Sequence, residues 1–91
     1  MQVKHVTILG TFFLFQKRCR DESLLIRKQS AESISKILLL NSSRCTDALD
    51  RSWLLSVLPL ITDREESVAK RAAELITVCV KVFVVKFYEL L

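Results

Sequence analysis

Apolar residues recur at intervals of three and four along most of this chain, and the pattern predicts helices. Ile26, Ser30, Ile34, Ile37 and Leu38 fall on one side of a helix that Asp21 or Ser23 can cap and that runs to about Leu40. Asn41-Ser42-Ser43 then supplies a stop and a polar loop. Thr46 or Asp47 opens a second helix carrying Leu49, Trp53, Val57 and Leu60 or Ile61, and Pro59 bends or terminates it. A tight turn around Thr62 and Asp63 leads into a third helix. There Asp63 and Glu66 have capping-box spacing, and Val68, Ala72, Leu75, Ile76, Cys79 and Phe83 continue the stripe.

The two ends break this regularity. Val6 to Phe15 is an apolar run after Lys4 and His5, which superficially resembles a secretory leader. The basic continuation Gln16-Lys17-Arg18-Cys19-Arg20 offers no small-residue cleavage site, and a run of ten residues is too short to span a bilayer as a helix. From Val78 the sequence VCVKVFVVKFYELL is rich in residues with local strand preference, yet Phe83 and Phe87 can carry the helical stripe onward. A helix continuing toward the end is the favoured expectation, with a strand-like or frayed tail as its alternative.

The helices also repeat. Asp21, Ile26, Lys28, Ala31, Glu32 and Ile34 recur as Asp63, Val68, Lys70, Ala73, Glu74 and Ile76, an offset of 42 residues. A period of roughly 40–47 residues is that of HEAT and armadillo units, helix pairs that bury their apolar faces only by stacking on neighbours. The expected fold is therefore all-α, a HEAT-type α-solenoid fragment of antiparallel helix pairs. Residues 1–18 read as an apolar leader or a remnant helix and 19–43 as the second helix of a first unit. Residues 44–80 then read as a second helix pair and 81–91 as an apolar tail. Solenoids use roughly three or more units with polar caps, so a chain of 91 residues reads as a piece of a longer array or a shortened product.

Composition supports packed helices: 51% of residues are hydrophobic, and there is one Gly and one Pro. The net charge of +4 permits contact with nucleic acid or an acidic protein without deciding between them. Cys19, Cys45 and Cys79 form no C-x-x-C pair and fit neither a disulfide framework nor a zinc site, so a reducing location and buried thiols are expected. His5 has no nucleophile or carboxylate arranged around it, and neither a Gly-rich phosphate loop nor metal-ligand spacing occurs. No enzymatic activity, no cofactor and no metal are expected.

The order Leu58-Pro59, Asp63, Val68, Lys70, matched in the first copy by Asp21, Ile26 and Arg27, is similar to the general HEAT pattern. Ala69 stands where the first copy has Arg27. Arg20-Asp21, Ile26-Arg27-Lys28-Gln29, the Trp53 helix, Val57-Leu58-Pro59-Leu60 and Glu66-Ser67-Val68 with Glu74 together resemble a HEAT segment of the D-type non-SMC subunits of condensin II. The resemblance covers about Cys19 to Ile76. It implies a scaffold in the nucleus, on chromosomes, that takes part in mitotic chromosome condensation beside SMC and kleisin subunits of condensin II.

The acid pairs Asp21-Glu22 and Glu65-Glu66 sit at helix starts, where capping accounts for them better than acid/base chemistry. Ile26, Ile34, Trp53, Leu58, Val68, Leu75 and Ile76 are expected to carry repeat packing, within the chain or against neighbouring HEAT repeats. Arg27, Lys28, Lys70 and Arg71 are the candidates for contact with DNA phosphates or an acidic partner, since stacking could align them into one stripe. The ordinary alternative is a solvated outer face. A generic HEAT adaptor that binds protein and not DNA, such as a transport or phosphatase scaffold, is the competing function. A small helix-turn-helix DNA binder is disfavoured because it needs no second equivalent hairpin.

Overall fold

A computed structural model describes residue 10, residues 12–41 and residues 47–90. The described residues are all helical outside their turns. Helix α1 covers residues 12–18, α2 Leu24–Leu40, α3 Asp47–Val57 and α4 Glu66–Leu90, with a 3₁₀ turn at Leu58–Thr62 between α3 and α4. His5, Ser42, Ser43, Cys45, Thr46 and most of the apolar leader lie outside the described residues.

Local chemistry sets the helix ends. Asp21 and Ser23 divide the start of α2 between them: Asp21 Oδ1 accepts from the Ser23 N–H at 2.9 Å, and Ser23 Oγ accepts from the Ile26 N–H at 3.4 Å. At the other end Asn41 donates from its backbone and from Nδ2 to the Ile37 carbonyl. Asp63 does not form the anticipated capping box. Its Oδ1 accepts from the Glu65 N–H at 2.9 Å, while the Glu65 carbonyl accepts from Val68 and Ala69, so Glu65 is the residue that begins the ladder of α4. Asp21 and Asp63 thus build the same two-residue turn in both copies.

Four contacts between residues far apart in sequence establish the packing. Gln16 meets Ser52, Arg20 meets Ser56 and Arg27 meets Asp63, each across 36 residues, and Arg71 meets Glu32 across 39. Both members advance together, so α1 runs parallel to α3 and α2 runs parallel to α4. Trp53 of α3 meets Phe83 of α4 at 6.5 Å between ring centroids, while the 3₁₀ turn feeds α4 directly, so α3 and α4 are antiparallel. It follows that α1 and α2 are antiparallel too, and the chain is two helical hairpins side by side. The constant separation of 36 brings a residue of the first hairpin against the turn or helix of the second that lies slightly earlier in the repeat.

The core lies between the layers. Ile34, Leu38, Val57, Val68 and Cys79 are fully buried, Trp53, Leu49, Leu60 and Leu75 nearly so, and Ile76 and Phe83 pack against them. Trp53 Nε1–H donates to Ser35 Oγ at 2.9 Å, which satisfies the indole inside the core, and its ring meets the edge of Phe83 at 73°. Ile26 is half-buried. Leu58 does not pack within the chain, being 50% exposed, because the 3₁₀ turn around Pro59 directs Leu60 inward and Leu58 outward.

The segment 78–90 is helix rather than strand. Cys79 and Phe83 anchor it to the core, and tertiary contact of this kind outweighs the weak local preference of valine. Beyond that anchor Val84, Val85, Phe87, Tyr88 and Leu90 are exposed. Among the described residues no helix is long and apolar enough to cross a membrane.

Candidate interaction surface

The four basic candidates do not share one environment. Arg27 is buried at 6% exposure, and its guanidinium is spent inside the fold. Nε and NH2 donate to Asp63 Oδ2 and Oδ1 at 2.9 and 3.0 Å, and NH1 donates to the carbonyls of Asp21 and Glu22 at 2.8 and 2.9 Å. A guanidinium held by four hydrogen bonds cannot also reach a DNA phosphate, so Arg27 joins the two hairpins and does not belong to an outer basic stripe.

Arg71 sits across the α2/α4 seam. Nε and NH2 donate to Glu32 Oε2 at 3.1 and 2.9 Å, and NH1 lies 3.9 Å from Glu74. Its positive charge is met by two carboxylates. Lys28, on α2, is half-buried, and Lys70, on α4, is exposed; these two keep cations available to solvent. The α2/α4 surface is therefore a mixed network of acids and bases and not a positive track.

Asp63 records the strength of this arrangement. Burial alone would raise its carboxyl pKa, but the Glu65 N–H, the hydrogen-bonded Arg27 charge and nearby Arg64 together hold it below its usual 3.8. On the opposite layer, Arg20 donates to the Leu55 carbonyl at 2.7 Å and the Ser56 carbonyl at 3.4 Å, a cation at the C-terminal end of α3 where the helix dipole favours it. The bond to α3 has no sequence signal, because it joins residues 35 apart.

Cys19 and Cys79 are both buried thiols. Desolvation pushes Cys19 up to about 11 despite the neighbouring Arg20 charge, and burial raises Cys79 although Ser35 hydrogen-bonds to it. Among the described residues no cluster of three or more His, Cys, Asp or Glu side chains could hold a metal ion.

The fold thus defines two successive, stacked helical hairpins with a charged seam. No protein-family model matches the chain, and no solved structure matches it. A stretch of 59 residues, 65% of the chain, is 34% identical to the condensin-2 complex subunit D3-L of Xenopus laevis. That stretch spans 4% of the length of the Xenopus protein, so the likeness is to a small segment of a large subunit.

Proposed function

We propose that this chain is a non-enzymatic HEAT-type scaffold segment that works as part of a condensin II-like assembly, holding SMC and kleisin subunits in mitotic chromosome condensation. The observation that carries the reading is Arg27, which clasps Asp63 of the second copy and the Asp21 turn of the first. Contact between equivalent turns fits the stacking of consecutive solenoid units over a shared apolar core, and the 59-residue likeness to a condensin-2 subunit supports this kind of assembly. Nucleus and chromosome are the corresponding location. Affinity purification from dividing cells at low and moderate salt, read by mass spectrometry, tests the proposal. Enrichment of SMC and kleisin subunits supports it, and recovery of chaperones alone overturns it.

A protein-binding adaptor without DNA contact is the second reading, and one observation favours it. Arg27 is internal and Arg71 is neutralised by Glu32 and Glu74, which leaves little of the basic stripe that phosphate binding would use. On the α2/α4 surface the cations open to a phosphate are Lys28 and Lys70.

A further inference from the structure

The layer of α1 and α3 holds a feature that uses neither the Arg27 clasp nor the α2/α4 seam. A groove of about 410 Å³ runs between these two parallel helices, walled by Phe12 and Phe13 on one side and Ala48, Arg51 and Leu55 on the other. Its floor is fixed. Gln16 Nε2 donates to Ser52 Oγ at 3.3 Å, and Ser52 Oγ donates to the Phe12 carbonyl at 3.4 Å, so the helices are pinned at the width of the groove before anything binds. Phe13 and Leu55 stand open to solvent at 64% and 51% exposure, large apolar surfaces with no covering side chain among the described residues.

Charge identifies the occupant. Arg51 is exposed on one wall, and Lys17 lies one helical turn beyond Phe13 on the other, exposed as well. Neither side chain has an acidic partner among the described residues, in contrast to Arg71 on the opposite layer. The groove thus presents an apolar slot flanked by two cations that have no ion pair among the described residues. Duplex DNA, its bases paired and stacked, would use the cations and leave Phe13 and Leu55 wet, whereas an amphipathic segment with carboxylates beside its apolar residues satisfies both.

We infer that the α1/α3 groove is a docking site for an acidic amphipathic helix of a partner protein, with an apolar residue seated between Phe13 and Leu55 and carboxylates on Arg51 and Lys17. This site is independent of the scaffold reading, since it uses neither the Arg27 clasp nor the α2/α4 seam.

The test is selection of displayed random peptides against the full chain, followed by fluorescence anisotropy with the synthetic peptide that emerges. Enrichment of acidic sequences with apolar residues three or four apart is the expected result. Arg51→Glu and Leu55→Ser should each weaken the peptide roughly tenfold or more, with thermal midpoints unchanged because both residues are exposed. Replacing the peptide's acids by their amides should have the same effect as Arg51→Glu. No enrichment, or peptide affinity indifferent to Arg51→Glu, overturns the site. So does displacement of the peptide by a short DNA duplex or by phosphatidylserine vesicles, which would mark the groove as a general anion surface. Each outcome is separable from the purification of SMC and kleisin subunits, because the groove variants leave the inter-hairpin seam intact.

Discussion

Arg27 donates to both carboxylate oxygens of Asp63, at 2.9 and 3.0 Å, across 36 residues of sequence. The same guanidinium holds the carbonyls of Asp21 and Glu22, in the turn of which Asp63 is the counterpart 42 residues later. One side chain therefore touches the equivalent turn in both copies of the repeat. With Arg27 and Asp63 side chains 7% and 9% exposed, the pair is sheltered enough that losing either partner leaves a charge with poor access to water.

Acid should act on this pair. The Asp63 carboxyl is held below 3.8 in the folded chain, so the unfolded chain takes up the proton first. The stabilisation is then complete above about pH 5 and is lost as pH falls through the folded value. Urea midpoints measured from pH 7 down to about 2.5 should decline at the acid end, and Asp63→Asn should remove part of that decline while lowering stability at pH 7.

Trp53 ties α3 to α2 through Ser35 and to α4 through Phe83. Trp53→Phe keeps an aromatic ring but deletes the Nε1–H donor and part of the volume, and should cost about 1–2 kcal/mol in chemical denaturation. Trp53→Ala should cost about 3–5 kcal/mol through the cavity it leaves.

Thiol reactivity reports the same core. Raising Cys19 from 9.0 to about 11 lowers its thiolate fraction near pH 8 by about a hundredfold before access is considered. In a Cys45→Ser background, labelling of Cys19 and Cys79 should therefore follow global unfolding, with rates that rise together with denaturant.

The lysines separate the two functional readings. Lys28→Ala with Lys70→Ala should flatten the dependence of log DNA affinity on log salt by roughly 1–2 if these residues meet phosphates. Arg27→Ala should lower the thermal midpoint and leave that slope unchanged. An unaltered slope in the lysine pair would favour the adaptor without DNA contact.

Much of the fold was legible because it is carried by periodicity. Ile34, Trp53, Val68, Leu75 and Cys79 lie inside as their spacing indicates, and α4 continues through its valine-rich end. The seam was not legible, since the buried side of α2 includes Arg27 and Ser35, residue types that an apolar pattern assigns to solvent. The recurrence of Asp21 as Asp63 held the missing signal. An arginine six places after the first aspartate, with Ala69 at its counterpart, marks a residue that serves one junction and not a surface stripe. The α1/α3 groove had no signature at all, because its walls come from helices brought together only by bonds such as Gln16 to Ser52.

The most direct test of the stacked-hairpin account is a double-mutant cycle on Arg27→Leu and Asp63→Leu, read as unfolding free energy. Each single replacement should cost about 3–5 kcal/mol, and the double replacement should cost less than their sum by about 2 kcal/mol or more. Additivity within about 0.5 kcal/mol would mean the two residues do not join the hairpins, and the repeat would have to stack in some other way.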